Sequence, residues 1–239
     1  MSIRKEKAIE EVLQLIHQFS TQILYQLDML EKVIGSSDIT FTKNQIDELR
    51  KRERVFDQLE VEVSEQIINC IVLHQPVASD LRLMISCYRM SINLERIGDL
   101  VMNIVNFIQK MKDRAILNLL PGVVDKMLTS SINMVRKSIL SFTNKDMDYA
   151  LWTIKIDAEV DELNHNLLKK TLSKSDIDKE TRNIMMGFIQ FNSIISNIER
   201  IADHATNIAE SSIYAMGGTD LRHKKFPENF NPDKPATSM

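Results

Sequence analysis

A twelve-residue motif occurs twice in this chain, at residues 93–104 and again at residues 197–208. Seven of the twelve positions are identical in the two copies, at a constant offset of 104 residues. Ordinary residue usage would give about one identity. The chain is therefore an internal duplication, and its repeat unit is about a hundred residues long. The shared residues are Asn, Glu, Arg, Ile, Asp, Asn and Ile, so the feature kept in both copies is polar and is where function is expected.

Apolar residues recur at three- and four-residue spacings along the chain, which predicts amphipathic helices. One such series runs from Val12 to Leu27 and another from Val55 to Ile71. Glycine and proline fall near the ends of the periodic segments, as is typical of helix termini. Breaks that divide the chain into six helices are predicted near residues 35–40, 75–77, 114–122, 144–146 and 174–178.

The six helices and the repeat together predict an all-α fold of two tandem homologous three-helix bundles. Short connections favour antiparallel packing within each bundle. The first bundle is expected in residues 1–114 and the second in residues 115–218. Residues 219–239 contain scattered prolines among polar residues, which predicts an exposed, flexible tail.

Acidic and amide side chains form a row on the third predicted helix. Glu95, Asp99 and Asn103 are four residues apart, so they lie on one side of a helix with about 6 Å of rise between neighbours. The apolar stripe of the same helix, from Leu94 to Ile108, points to the opposite side. We therefore expect the row on the outer surface of the bundle.

The duplication gives each half two acidic rows, on helices that are adjacent in sequence. The rows of the first half contain Glu53 and Asp57, then Glu95, Asp99 and Asn103. The rows of the second half contain Asp157 and Asp161, then Glu199, Asp203 and Asn207. Carboxylates four residues apart destabilise a helix by a few tenths of a kcal/mol per pair. Hard cations bind carboxylate and amide oxygens, so two adjacent rows are suited to one or more metal ions.

A solvent-exposed polar face is the alternative interpretation of these rows, with Arg96 and Arg200 neutralising part of their charge. The paired repetition, with Asn kept at the third position, favours the metal site. His165 follows Asp161 by four residues and is a candidate additional ligand, although a single histidine is more often structural. His204 lies beside Asp203 on a different face of its helix.

Residues 162–165 read Glu-Leu-Asn-His, which is the Glu-x-x-His pattern of di-iron helical bundles. Such sites need two copies, and none of the other histidines has a glutamate three residues before it. The sequence also lacks the common nucleotide-binding and nucleophile motifs. It therefore predicts no catalytic residue and a protein that is not an enzyme.

The composition limits the partners and the compartment. Thirty basic and 33 acidic residues leave a net charge of −3, which disfavours nucleic acid as a partner. Cys70 and Cys87 fall inside helical patterns and are expected to be buried thiols of a reducing compartment. The chain has no signal-peptide pattern and no run of 18 apolar residues. We expect a cytoplasmic protein that reaches a membrane only through partners.

A duplicated three-helix bundle with Glu-Arg-Ile-x-Asp-x-x-x-Asn-Ile in each half resembles the PhoU family of phosphate-signalling proteins. The resemblance covers nearly all of residues 1–216, and the motif of residues 80–82, Asp-Leu-Arg, also supports it. It implies a negative regulator of phosphate uptake and phosphate-starvation signalling. Such a regulator links a Pst-type phosphate ABC transporter to a PhoR-type sensor histidine kinase by protein–protein contact.

The same resemblance implies a homodimer with metal ions at the acidic motifs, the metals being iron, zinc, magnesium or manganese. Carried over by position, the first metal site would contain Glu53, Asp57, Glu95, Asp99 and Asn103. The second would contain Asp157, Asp161, Glu199, Asp203 and Asn207. The second half has no counterpart of residues 80–82, so the halves are expected to bind partners unequally.

Two other functions remain open from the sequence. A metal-storage or di-metal oxidase bundle is the alternative from a different class, and it would need ligands that face inward. A related bundle that accompanies a different phosphate permease is the third possibility.

Overall fold

The computed structural model describes residues 2–36, 38–111, 117, 120–172 and 181–221. Within these ranges the chain forms six long helices and no strand. They are α1 Ser2–Ile34, α2 Lys43–His74, α3 Ser79–Lys110, α4 Leu120–Asn144, α5 Met147–Leu172 and α6 Thr181–Gly217. The predicted all-α fold is confirmed. The predicted tail lies, after Leu221, outside the described residues.

Local chemistry sets the helix ends. At the start of α2, the Thr42 hydroxyl accepts from the Gln45 amide at 3.3 Å, and Gln45 Oε1 accepts from the Thr42 amide at 2.8 Å. This reciprocal pair satisfies two backbone donors that the helix leaves free. Asp146 does the same before α5, where its carboxylate accepts from the amides of Asp148 and Tyr149.

Each half folds as a three-helix bundle, with α1, α2 and α3 packed together in the first half and α4, α5 and α6 in the second. The apolar spacings predicted the buried sides of α1 and α3 correctly. Val12, Phe19 and Leu27 of α1 are fully buried, as are Ile97 and Ile104 of α3. The limits predicted for the two bundles, 1–114 and 115–218, stay a prediction.

The two bundles share one hydrophobic core, a feature the sequence did not indicate. The most extensive helix contact in the described structure joins α3 to α6, and α1 also contacts α4. The α3–α6 pair is antiparallel, because Asn93 of α3 lies beside His204 while Arg89 lies beside Asp220. A second side of α3 is therefore buried, including Leu100 and Val105.

A close approach of α2 to α3 fixes the spacing of the first bundle. A Cβ placed on Gly98 would lie 2.6 Å from Phe56 Cδ2, which is closer than packed carbon atoms allow. Phe56 in turn stacks on Phe19 with ring centroids 5.6 Å apart. Glycine at position 98 thus lets the two helices meet. None of the helices in the described ranges is long and apolar enough to cross a membrane.

Candidate functional site: two acidic faces

The structure places the ten predicted site residues on two surfaces, which we name the acidic faces. The first acidic face consists of Glu53, Asp57, Glu95, Asp99 and Asn103 on α2 and α3. The second consists of Asp157, Asp161, Glu199, Asp203 and Asn207 on α5 and α6. The apolar stripes of α3 and α6 are buried as predicted, and every one of the ten site residues is half-buried or exposed. The rows thus lie on the outside of each bundle.

Carboxylates from two helices meet on the first acidic face. Burial raises the pKa of Glu53, and the charges of Asp99 on α3 and Asp57 on α2 raise it further. Burial also raises the pKa of Glu95 to about 7, with a further contribution from Asp99. Desolvation and like charge both favour the neutral acid. The carboxylates of this face are therefore close together and partly desolvated.

The second acidic face repeats this arrangement between α5 and α6. Burial raises the pKa of Asp157 to about 6, with added contributions from the charges of Asp203 and Asp161. The pKa of Asp203 is also raised, first by burial and then by Asp161 and Glu199. The predicted pairing of rows across neighbouring helices is therefore present in both halves. Asn207 is exposed on α6, as is Asn103 on α3.

The donors on both faces are of the chemical type that Mg²⁺, Mn²⁺, Zn²⁺ and iron accept. Asp157 Oδ1 is buried and makes no hydrogen bond of ordinary geometry to the described residues, although the nearby Thr206 hydroxyl acts to lower the pKa of this carboxyl. Among the residues that the structure describes, however, no group of three or more His, Cys, Asp or Glu side chains is close enough to hold one ion. The donor chemistry fits a metal, whereas the described side-chain positions do not form a closed ligand set.

Neighbouring side chains neutralise part of each face. Arg96 lies 3.6 Å from Glu95 and 3.8 Å from Asp99, although its own side chain is 58% exposed. On the second face, the Asn164 amide donates a hydrogen bond to Glu199. The alternative interpretation, a solvent-exposed polar face, predicts contacts of this kind. They leave Glu53 and Asp157 with raised pKa values, so neutralisation is incomplete.

Two further residues of the faces, Glu60 and Asn164, were not predicted from the sequence, although they lie at matching positions of the two repeats. The charge of Glu60 contributes to the raised pKa of Glu95. At the equivalent place, Asn164 donates to Glu199 instead. The spacing of Glu60 could have predicted its place on the face, because it follows Glu53 by seven residues and so lies on the same side of α2. The first acidic face therefore has one carboxylate where the second has an amide.

His204 lies away from the second acidic face, as the sequence predicted. Its Nδ1 is 2.8 Å from the Asn93 Oδ1, across the contact between α3 and α6. Burial lowers its pKa to about 4, with help from the charges of Arg200 and Arg96. This histidine therefore joins the halves as a neutral group. The side chain of the other candidate, His165, is outside the described part of the structure.

The Asp-Leu-Arg motif at residues 80–82 joins three helices. Asp80 forms an ion pair with Lys5 of α1 at 2.5 Å. Arg82 lies against Gly218, where an added Cβ would be 3.3 Å from Arg82 Nε. Gly218 directly follows α6. The motif thus ties the start of α3 to α1 and to the end of α6, which gives it a structural role in this chain.

Comparison with known proteins agrees with the duplication. Residues 24–108 and 124–212 each match the model of the PhoU domain. The chain is 31% identical over 177 residues to the phosphate-specific transport system accessory protein PhoU homolog of a Burkholderia species, covering 73% of this chain and 74% of that protein. It is 32% identical over 183 residues to the protein of the same description in Pseudomonas aeruginosa, covering 74% and 72%.

Solved structures show the same fold. The crystal structure of PhoU from Pseudomonas aeruginosa matches with a TM-score of 0.77 and 24% identity, covering 90% of this chain and 99% of that chain. The phosphate transport system regulatory protein PhoU from Streptococcus pneumoniae matches with a TM-score of 0.76 and 22% identity, covering 90% and 98%. Because both of its halves match the family's domain, the chain belongs to the PhoU family.

Proposed function

We propose that this chain is an accessory protein of a phosphate-specific transport system that represses phosphate uptake and phosphate-starvation signalling when phosphate is plentiful. It acts in the cytoplasm as a homodimer, by contact with a Pst-type ABC transporter and a PhoR-type sensor histidine kinase. The names of its relatives support the phosphate-transport role. The family is one of accessory and regulatory proteins rather than enzymes, as the sequence analysis predicted.

The duplicated acidic faces carry this proposal, because they are the polar surface that both repeats keep. Each brings carboxylates of two helices together outside the core, where a partner protein can reach them. Divalent or iron-type metal ions at these faces would cancel the repulsion between the carboxylates and present a fixed surface for docking. In this role the metal is a structural element, and no reaction is assigned to it.

Reporter output tests the regulator. A phosphate-starvation phosphatase reporter is measured in phosphate-rich medium in a strain lacking the gene and in the same strain carrying the wild type or the double variant Asp99→Ala/Asp203→Ala. We expect high output without the gene and silencing by the wild type only. Low output without the gene would reject the regulatory role. Silencing by both forms would keep that role and return the acidic faces to solvated surfaces.

Metal content tests the faces separately. Purified wild type and Asp99→Ala/Asp203→Ala are dialysed against Mn²⁺ or Zn²⁺, and bound metal is counted by mass spectrometry. The control is Asp47→Ala/Asp125→Ala, which removes the same charge at two exposed residues outside the faces. We expect loss of metal only in the first variant. Equal metal in all three proteins would exclude binding at the acidic faces.

The alternative of a metal-storage or di-metal oxidase bundle needs ligands that point into the bundle. The ten carboxylate and amide residues of the faces lie outside the apolar core instead. The third possibility, a bundle that serves a different phosphate permease, differs from the main proposal only in its transporter. Co-purification with an ABC transporter or with a single-chain permease would separate the two.

A further inference from the structure

The outward side of α2 carries a row of apolar side chains. Val61, Ile68 and Val72 are 54%, 59% and 66% exposed. Their spacings of seven and four residues place them within about 40° of one another around the helix, over about 16 Å of its length. A different side of α2 faces the core, where Val63 and Ile67 are buried. Aliphatic side chains aligned in this way are more than the scattered exposure that a soluble protein usually shows.

Two exposed side chains of α3 extend this row. Leu81 and Tyr88 are 38% and 43% exposed, and their seven-residue spacing puts them on one side of α3. A short connection at 75–78 joins α2 to α3, so the two helices run in opposite directions. The charge of Glu60 acts on Glu95, and about seven residues beyond these two positions Ile68 lies level with Tyr88. We name the five exposed side chains the apolar patch: Val61, Ile68, Val72, Leu81 and Tyr88.

Carboxylates flank the apolar patch on α2. Residues 55–73 contain four acidic residues and neither lysine nor arginine. Asp57, Glu62 and Glu65 line one open depression on this side of the helix. Glu60 lies on the side that faces α3. None of the four forms an ion pair with a lysine or arginine of the described residues. The patch therefore has an acidic rim that this chain does not neutralise by direct pairing.

The sequence of the second half does not repeat this pattern. The residue that matches Val72 is Asp176, and the one that matches Tyr88 is Asn192. The matching segment of the second half, residues 159–177, also contains three lysines. The duplication therefore does not account for the patch, which belongs to the first half alone.

The charge of the rim decides what can cover the patch. A second copy that met it with the same surface would bring the four carboxylates of each molecule together, which like charge disfavours. An anionic lipid surface would be repelled for the same reason. A helix with apolar residues along one side and lysine or arginine beside them meets both requirements, since it covers the apolar row and complements the rim.

We propose that the apolar patch binds a cationic amphipathic helix of a partner protein. The apolar side of that helix covers Val61, Ile68 and Tyr88, and its basic residues reach Glu65 on one flank and Glu60 on the other. This proposal goes beyond the regulatory function, because it states the chemistry of the docking segment and holds for any partner that supplies it. The partner would engage the first half of the molecule and not the second.

Fluorescence anisotropy with the full-length protein tests this docking. The probe is a fluorescein-labelled helical peptide of about 18 residues, which is about five turns, with leucine along one side and lysine along the other. A second peptide has glutamate at every lysine position. The test variant is Val61→Ser/Ile68→Ser. The control variant, Leu140→Ser/Ile189→Ser, removes two apolar side chains of α4 and α6 that are 41% and 54% exposed.

We expect the lysine peptide to bind the wild type at least about tenfold more tightly than the glutamate peptide. The test variant should weaken binding of the lysine peptide by about tenfold, whereas the control variant should change it by less than about twofold. Circular dichroism checks that both variants remain folded. Equal weakening by the two variants, or equal affinities of the two peptides, would overturn the proposal.

The acidic rim is tested by a second pair of variants. Glu62→Gln/Glu65→Gln should weaken binding of the lysine peptide by about threefold or more and reduce its dependence on salt. The control, Glu10→Gln/Glu159→Gln, removes the same charge at two exposed residues of α1 and α5. Equal effects of these two variants would contradict a role of the rim.

Sedimentation equilibrium distinguishes a partner helix from a second copy of this chain. The oligomeric state should be the same in the wild type and in Val61→Ser/Ile68→Ser. Dissociation of a dimer by this variant would assign the patch to a second copy and overturn the proposal. The reporter experiment on phosphate signalling uses other residues, so the regulatory function and this docking surface can fail separately.

Discussion

The two acidic faces have the same ancestry and the same scaffold, yet they differ in charge. In the first half, Glu60 adds a fifth carboxylate and raises the pKa of Glu95. In the second half, Asn164 stands at that position and donates to Glu199. At matching positions of the two repeats, a single side chain therefore decides whether a half-buried glutamate meets a hydrogen-bond donor or another acid. A duplicated site can thus be specialised without any change of fold.

The halves also differ in the packing of the helices beneath the faces. A change there should have the largest effect on stability. Gly98→Ala should destabilise the protein by about 1–3 kcal/mol, because the new Cβ would overlap the Phe56 ring. The equivalent residue of the second half, Ala202, already carries a Cβ and is buried. The free energy of unfolding is measured by urea denaturation.

Gly122→Ala is the control for that change. Nothing lies within 4 Å of a Cβ at Gly122, in the first turn of α4, so alanine should be neutral or stabilising by up to about 1 kcal/mol there. If the two variants lost the same stability, the close contact of α2 with α3 would not be the cause.

The pH dependence of stability should differ between the faces. The folded protein keeps a proton on Glu95 up to about pH 7, whereas the unfolded chain releases it near its ordinary pKa of 4.5. Between these values the folded state binds more protons, so stability falls as pH rises. This fall in the free energy of unfolding should be on the order of 1–2 kcal/mol, allowing for solvent screening, and Glu95→Gln should remove it.

On the second face, the corresponding fall in stability should occur at lower pH. The pKa of Asp157 rises from 3.8 to about 6, so Asp157→Asn should flatten the stability curve mainly between pH 4 and pH 6. Urea midpoints at half-unit steps from pH 4 to pH 8, in EDTA to remove cations, distinguish the two variants. Curves parallel to the wild type would contradict the raised pKa values.

A smaller difference concerns the contact between the halves. His204→Leu removes the hydrogen bond to Asn93 and should cost about 1 kcal/mol. The matched residue of the first repeat is already leucine, Leu100, and it is buried. The double variant Asn93→Leu/His204→Leu should recover part of the loss, since no polar atom remains unpaired. Thermal unfolding of the three proteins checks this, and an unchanged midpoint in the single variant would remove the role of His204.

The smallest expected effect is a change in the pKa of one carboxyl group. Glu60→Gln should lower the pKa of Glu95, because it removes a like charge. Carboxyl ¹³C NMR titration measures this shift, which we expect to be small. An unchanged pKa of Glu95 in the variant would show that Glu60 does not act on it.

The sequence predicted the helices, the two bundles and the acidic faces, because helical periodicity and the 104-residue repeat can both be seen directly in the sequence. It did not predict that α3 would bury a second side against α6. Periodicity identifies an apolar side and says little about which helix covers it. The roles of Glu60 and Asn164 were also missed, since their effect depends on contact across neighbouring helices.

The shared core between α3 and α6 has a consequence for the history of the chain. A single repeat would expose the apolar side of its third helix to water and would need a second molecule to cover it. Joining two repeats in one chain makes that association independent of concentration. In a symmetric dimer of identical repeats, the two equivalent contacts would carry the same residues. Here His204 faces Asn93 while the matching position 100 is leucine, so the contact between the halves has become asymmetric.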